Sequence, residues 1–261
     1  MQDRSRIICT EMYPTFFRVP PYVPIIGNFE ITSFGVLVAI GALVGLWVFG
    51  RELARSGLPP SAGDAAMAGV FGGLLGAKLL WVAEHLGEEP FRDLLFSRGG
   101  MSWFGGLAGG VGTAVIVIWR QRVPIVATLA AATPALAIGH AIGRIGCFLV
   151  GDDYGRASDL PWAVAFPKGL PPTDVPVHPT QLYEAIALAV VAWLLIRWRR
   201  RNVPDAVVLG RYLVLAGAIR FAIEFIRVNV RVVGPLTVAH LVSLALVIIG
   251  VAMLVLRRRE A

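Results

Sequence analysis

The chain alternates between long apolar stretches and short polar segments. Apolar runs occupy about 31–49, 65–83, 104–119, 125–143, 182–198, 206–226 and 236–256. A membrane-crossing helix needs ~20 such residues, so the pattern predicts about seven transmembrane helices, of which the third is the shortest. We therefore predict an all-α, polytopic membrane protein that forms one integral membrane domain over residues 1–261.

Composition supports a membrane environment. Hydrophobic residues make up 56% of the 261 residues, and the mean hydropathy is +0.70. Both values lie well above those of a soluble domain. The predicted solvent for most of the surface is lipid.

Basic residues cluster after alternate spans. They follow the first, third, fifth and seventh, beginning at Arg51, Arg120, Arg197 and Arg257. The positive-inside rule places these ends in the cytoplasm, with the N-terminus outside and the C-terminus inside. This arrangement also explains the net charge of +7, so we predict no nucleic-acid partner.

The longest segment outside the predicted spans is 151–181, which contains six prolines together with Trp162 and Phe166. A loop of this length is usually functional or disordered, and its aromatic residues argue against a free linker. We predict a small, ordered extracytoplasmic head.

Two cysteines, Cys9 and Cys147, are too few for a disulfide framework, and their spacing predicts no metal site. Cys147 is predicted to be a small packed residue. The adjacent carboxylates Asp152 and Asp153 are expected to be solvated or to pair with Arg156, since two neighbouring carboxylates alone make no metal site.

Several ionisable residues fall in the outer half of the predicted bundle. Arg144 ends an apolar stretch, and Arg220 and Glu224 lie four residues apart on one helical face. An arginine at membrane depth costs at least ~2.5 kcal/mol, so it usually faces the bundle interior. Two arginines against few buried acids predict a cationic surplus, which suits an anionic phosphodiester headgroup. The alternative is an Arg220–Glu224 ion pair, with Glu184 anchoring a loop or a neighbouring arginine.

Lone charged or polar residues in the other spans admit simpler interpretations. His240 is expected to be a packed or interfacial residue, and the same interpretation is favoured for His140. Lys78 lies in the middle of the second span, which favours an inward orientation over snorkelling to the interface.

Three motifs carry a resemblance to a known family. They are Gly143-Arg144-Ile145-Gly146-x-Phe148-x-x-Gly151-x-x-Tyr154-Gly155-Arg156, His178-Pro179-x-Gln181-Leu182-Tyr183-Glu184 and Arg220-Phe221-x-x-Glu224-Phe225-x-Arg227. In order and spacing they resemble the phosphatidylglycerol–prolipoprotein diacylglyceryl transferase family, together with the segments 99–107 and 76–79. The resemblance runs from about residue 30 to the C-terminus.

The resemblance implies a seven-helix enzyme of the bacterial cytoplasmic (inner) membrane. It would move the diacylglyceryl group of phosphatidylglycerol onto the lipobox cysteine of a prolipoprotein, with glycerol phosphate as the leaving group. The implied partners are phosphatidylglycerol, prolipoprotein signal peptides and membrane lipids, with no cofactor and no metal. Arg144 and Arg220 would be catalytic, with Glu224 orienting Arg220. The implied substrate-binding residues are Arg144, Lys78, Gly105, Gly106, Cys147, Asp152, Tyr183, Glu184 and Arg227.

Four positions depart from the family pattern. Phe104 stands where the family commonly has a histidine, Cys147 replaces an asparagine, Asp152 is a shorter acid and Phe34 replaces a tyrosine. Phenylalanine can neither accept nor relay a proton, so the proposed general base is absent from its usual place.

The departures leave alternative functions open. His178 is our candidate for a substitute catalytic base, and His140 is the second. Without a base, the chain would be a lipid-binding or partner-binding paralogue that lacks the reaction. A transporter is less favoured, because the charges gather toward one side and the two halves of the chain do not match.

Overall fold

The computed structural model describes residues 8–9, 15–18, 20, 30–96, 101–229 and 231–260. Within these ranges the chain is predominantly helical. The long helices are α1 (Ser33–Arg55), α2 (Asp64–Glu84), α4 (Trp103–Arg120), α5 (Ile125–Val150), α6 (Thr180–Arg200), α7 (Asp205–Glu224) and α8 (Val238–Glu260), and α3 (Phe91–Phe96) is short. The predicted all-α membrane class is confirmed.

The exact number of membrane spans is not confirmed. In the described part of the chain, six helices are long and apolar enough to cross a bilayer, namely α1, α2, α5, α6, α7 and α8. The apolar part of α4, Phe104–Arg120, is shorter, and at ~1.5 Å per residue it falls below the ~30 Å hydrocarbon core. The third predicted span, in α4, is therefore the one that is not confirmed.

The chain divides into two compact units, 48–132 and the remainder. In the first, α2 and α4 pack face to face along glycines. A Cβ atom at Gly105 would lie 2.2 Å from the Gly76 carbonyl oxygen, and one at Gly109 would lie 2.3 Å from the Gly72 carbonyl oxygen. Only glycine permits this approach of the two backbones.

In the second unit, α6 and α7 pack around a core of Ala137, Val191, Leu195 and Val208. Helices α7 and α8 approach closely where Gly210 faces Gly250. The glycine and alanine content of these helices explains the close packing, since small residues let helix backbones meet inside a membrane.

The described residues also form five short strands: β1 (Ile8–Cys9), β2 (Thr15–Arg18), β3 (Glu30–Thr32), β4 (Val164–Phe166) and β5 (Thr173–Val177). Strand β4 lies between β1 and β5, while β2 pairs with β3. Phe166 is fully buried, and the ring of Tyr154 stacks on it at 5.5 Å. Segment 151–181 thus has its own small core, which agrees with the predicted ordered head.

Candidate functional site

Six charged side chains meet where α5, α6 and α7 join the head, and we call them the arginine–carboxylate cluster. Its members are Arg144, Arg220, Arg227, Asp153, Glu184 and Glu224. Arg144, Glu184 and Glu224 are buried. The motif residues that the sequence places far apart are therefore brought together.

Arg144 lies between two carboxylates. Its Nη1 donates to Asp153 Oδ2 at 2.8 Å, and its Nε lies 3.0 Å from Glu184 Oε2. Glu184 is almost completely buried, so an arginine beside it is needed to offset the cost of removing its charge from water. His140 also contacts Glu184, with 3.5 Å between Nε2 and Oε1.

The turn after α5 places Asp153. Gly151 has φ +67° and follows the last helical residue, and the amide of Asp152 donates to the Cys147 carbonyl oxygen at 3.2 Å. This is a glycine-terminated helix C-cap. Asp153 itself has φ +59°, a conformation that aspartate tolerates. The turn directs its carboxylate to Arg144 and Arg227 together.

Asp153 was expected to be solvated or to pair with Arg156. Its side chain is 42% exposed, but the described residues show no ion pair with Arg156. Its carboxylate instead bridges Arg144 and Arg227. Burial alone would raise the pKa of Asp153, but the Arg227 and Arg144 guanidiniums outweigh burial and lower that pKa below its usual value. For Asp152, burial prevails and raises the pKa of the carboxyl group.

Gly155 brings the turn after α7 to the head. A Cβ atom at this position would lie 2.8 Å from the Ile226 carbonyl oxygen and 2.9 Å from His178 Cβ. The amide of Arg156 donates to the same Ile226 carbonyl at 2.8 Å. This close approach fixes Arg227, the next residue, beside Asp153.

Glu224 organises the α7 side of the cluster. Its Oε2 lies 2.8 Å from Arg220 Nη2, which confirms the i,i+4 pair expected from the sequence. Its Oε1 accepts hydrogen bonds from Thr237 Oγ1 and Asn229 Nδ2, each at 2.7 Å. Thr237 also contacts His240 Nδ1 at 3.1 Å. The predicted packed state of His240 is confirmed, since it is buried between Phe221 and Phe225.

The predicted cationic surplus is wrong for this cluster. Three guanidiniums face three carboxylates, because Asp153 and Glu184 both pair with Arg144. Three buried guanidinium nitrogens of the cluster have no hydrogen-bond partner among the described residues, namely Arg144 Nε, Arg227 Nε and Arg220 Nη1. The first two lie 3.0 and 3.9 Å from carboxylate oxygens, whereas Arg220 Nη1 has no ion-pair contact in the described part of the chain. A buried donor without an acceptor costs ~1–3 kcal/mol, so it marks the place where an incoming oxygen would be stabilised.

Three of the remaining candidate residues, His178, Tyr183 and Cys147, also belong to the unit that holds the cluster. His178 Nδ1 lies 3.4 Å from the Tyr183 hydroxyl, which accepts a hydrogen bond from Trp162 Nε1 at 2.7 Å. Neither His178 nor Tyr183 has a hydrogen bond or ion pair to the cluster within the described residues. Cys147 is buried, with its sulfur 3.8 Å from Arg144 Nη1.

The candidates in unit 48–132 have local contacts of their own. The Lys78 ammonium lies 4.7 Å from the centre of the Trp81 ring. Gly105 and Gly106 form part of the α2–α4 contact, so a packing role accounts for both glycines. Phe104 is 40% exposed at the start of α4, and the neighbouring motif residues Gly99 and Gly100 lie outside the described residues.

Ligand atoms of Cys147, Asp152 and Asp153 lie within 4.8 Å of one another, a spacing that could hold a metal ion. Asp153, however, is already shared by Arg144 and Arg227. A cation there would have to displace or approach two guanidiniums. The arrangement therefore favours ion pairing within the protein.

Sequence reasoning missed Asn229 and Thr237 as partners of Glu224. Neither follows a helical periodicity from Glu224, since both lie in or just beyond the turn between α7 and α8. The only sequence hint is that a buried carboxylate requires donors, and hydroxyl and amide side chains lie close by in the chain.

Comparisons with known proteins show which family this chain resembles. Residues 20–256 match the family model described as prolipoprotein diacylglyceryl transferase. A phosphatidylglycerol–prolipoprotein diacylglyceryl transferase of Geobacter sulfurreducens is 32% identical over 95% of this chain and 96% of its own length. The enzyme of that name from Nitratidesulfovibrio vulgaris is 32% identical over 94% and 96%, and that from Pseudoalteromonas translucida is 29% identical over 93% and 94%.

Proposed function

Because the chain belongs to the prolipoprotein diacylglyceryl transferase family, we propose that it transfers the diacylglyceryl group of phosphatidylglycerol to the cysteine thiol of a prolipoprotein. The observation that carries this proposal is the arginine–carboxylate cluster, in which Arg144, Glu184 and Glu224 are buried and Arg220 Nη1 has no partner among the described residues. Because Arg220 Nη1 takes part in none of the cluster's ion pairs, it can donate to a phosphodiester oxygen without rearranging them.

The reaction follows from the chemistry of the two substrates. The cysteine sulfur forms a bond to the glycerol carbon, and the bond from that carbon to the phosphate oxygen breaks. The electron pair of the broken bond leaves on glycerol phosphate, and the thiol proton goes to a base. Arg220 and Arg144 would stabilise the charge that develops on the departing phosphate. Glu224 would orient Arg220 through the 2.8 Å ion pair.

The thiol proton needs an acceptor that Phe104 cannot supply. His178 remains our predicted base, but its contacts are with Tyr183 in the head. His140 contacts Glu184 inside the cluster, and its side chain is 43% exposed. This geometry supports His140 as a second candidate, since a base must reach the proton it removes.

A transfer assay with a lipobox peptide and phosphatidylglycerol tests the proposal. Wild type, His178→Gln, His140→Gln and Phe104→His should be compared in detergent. Loss of a general base typically lowers the reaction rate by ~10²–10⁴-fold. Replacement of the histidine that serves as the base should therefore lower the rate of transfer by that factor, while lipid binding persists. Activity that survives both changes would eliminate a substitute base.

A second candidate function rests on Phe104 itself. If the chain binds the lipid headgroup without transferring it, wild type should be inactive in the same assay. A gain of activity in Phe104→His would then support a lipid-binding paralogue that has lost the reaction.

The chain is a multi-pass membrane protein, and we place it in the bacterial cytoplasmic membrane with its N-terminus outside and its C-terminus inside. Reporter cysteines should be introduced after Cys9 and Cys147 have been replaced. Reporters in 199–201 should be protected from an impermeant outside reagent, whereas those in 160–172 should react. The reverse pattern would overturn the orientation.

A further inference from the structure

An apolar groove follows the surface of α5 and α6, and its lining includes Ile145 and Ala185, the sequence neighbours of Arg144 and Glu184. It encloses about 500 Å³ and is lined by apolar side chains only, among them Ile138, Ile145, Leu182, Ala189 and Trp193. From Leu182 to Ile196 the groove follows α6 for ~21 Å, at ~1.5 Å per residue. That length exceeds half of the ~30 Å hydrocarbon core, so one acyl chain could lie along it.

A basic recess adjoins the groove at the C-terminal end of α6. The recess measures about 240 Å³ and is lined by Trp193, Ile196, Arg197, Arg200 and Arg201. Trp193 and Ile196 line both cavities, so the two cavities adjoin at these side chains. Three guanidiniums therefore line a recess next to one end of the apolar groove.

These three arginines lack acidic partners. Arg197, Arg200 and Arg201 form no ion pair within the described residues, whereas the neighbouring Arg199 is buried against Asp205 at 3.0 Å. The Arg197 guanidinium lies 5.6 Å from the centre of the Trp193 ring. Its aromatic contact holds one cation at the mouth of the groove.

We propose that an anionic phospholipid of the adjacent leaflet binds here, with its headgroup on Arg197, Arg200 and Arg201 and an acyl chain in the α5–α6 groove. Charge complementarity selects the headgroup, and the continuous apolar groove selects the chain. The positive-inside rule alone would explain the arginines but requires neither a groove nor a preference among lipids. The basic recess lies at the opposite end of α6 from Glu184, so binding of the headgroup there does not depend on the proposed transfer reaction, although the groove itself extends back to Leu182 and Ala185.

Quenching of Trp193 by brominated lipid measures occupancy. The protein is placed in phosphatidylcholine nanodiscs that contain increasing fractions of phosphatidylserine with brominated acyl chains. The difference between wild type and Trp193→Phe isolates the signal of this tryptophan. Brominated phosphatidylserine should quench it at a much lower mole fraction than brominated phosphatidylcholine does.

Two variants test the headgroup contact and the acyl-chain contact separately. A juxtamembrane arginine contributes about a fivefold change in affinity, so Arg200→Gln/Arg201→Gln should raise the half-quenching fraction by about 30-fold. The matched control Arg120→Gln/Arg122→Gln removes the same charge from exposed positions at the end of α4 and should leave that fraction unchanged. Ala189→Phe fills the groove and should weaken quenching with all arginines present.

Three results would overturn the proposal. Equal quenching by the two brominated lipids would show an ordinary lipid-facing surface. Equal effects of the two arginine double variants would reduce the basic recess to a topology determinant. Unchanged quenching in Ala189→Phe would show that no acyl chain occupies the α5–α6 groove.

Discussion

Replacing Arg220 by lysine tests whether the partnerless guanidinium nitrogen receives the lipid phosphate. In the structure Arg220 Nη2 is committed to Glu224 at 2.8 Å, while Nη1 is buried without a partner among the described residues. Lysine keeps the positive charge beside Glu224 but offers one nitrogen in place of the planar fork. It cannot hold the carboxylate and a phosphate oxygen in the same geometry.

The expected loss is one charge-assisted hydrogen bond. Such a bond contributes ~1.5–3 kcal/mol, which corresponds to roughly 10- to 150-fold weaker binding of phosphatidylglycerol. The free protein should not be destabilised by a similar amount, because the substitution removes a donor that had no acceptor. Binding can be measured by titrating phosphatidylglycerol into protein in neutral detergent, with the thermal midpoint recorded in parallel.

Arg199→Lys is the matched control. Arg199 is also an arginine in an ion pair, 3.0 Å from Asp205, and it lies at the other end of α6 from Glu184. It should leave phosphatidylglycerol binding unchanged. Wild-type affinity in Arg220→Lys would refute the assignment of Nη1 to the phosphate, and equal losses in both variants would indicate a general effect on the fold.

Three further predictions concern the partners of Glu224, the packing of α2 on α4 and the charge of Asp153. Thr237→Val removes a 2.7 Å hydrogen bond to Glu224 and should lower transfer about tenfold or more, whereas Thr237→Ser should restore it. Gly105→Ala should lower the free energy of unfolding by about 1–3 kcal/mol or more, as followed by the denaturant midpoint, because its Cβ would lie 2.2 Å from a backbone oxygen. Gly112→Ala in the same helix meets nothing within 4 Å and should be neutral or stabilising. The lowered pKa of Asp153 means that its ionised form stabilises the fold at neutral pH. The difference in thermal midpoint between wild type and Asp153→Asn should therefore hold down to about pH 4 and shrink as the pH falls further through the lowered pKa.

The sequence predicts the helical framework and part of the cluster. Apolar length defines the long helices, and the i,i+4 spacing of Arg220 and Glu224 is sufficient to predict their ion pair. The prediction of a membrane span from apolar length is not confirmed at α4, because the apolar part of this helix is too short.

The remaining contacts depend on turns. Asp153 reaches Arg144 and Arg227 only because Gly151 reverses the chain after α5. Thr237 reaches Glu224 across the turn between α7 and α8. Neither contact follows from helical spacing. The sequence alone therefore could not predict that carboxylates neutralise the arginines. The acids had to be located in space before the charge balance was known.

The most direct test of the central claim is complementation of a bacterial strain depleted of its own prolipoprotein diacylglyceryl transferase. Wild-type chain should restore growth and the conversion of prolipoprotein to its lipid-modified form, whereas Arg220→Ala, present in the membrane at the same level, should restore neither. Failure of well-expressed wild type would contradict the transferase function. Full rescue by Arg220→Ala would contradict the role assigned to the arginine–carboxylate cluster.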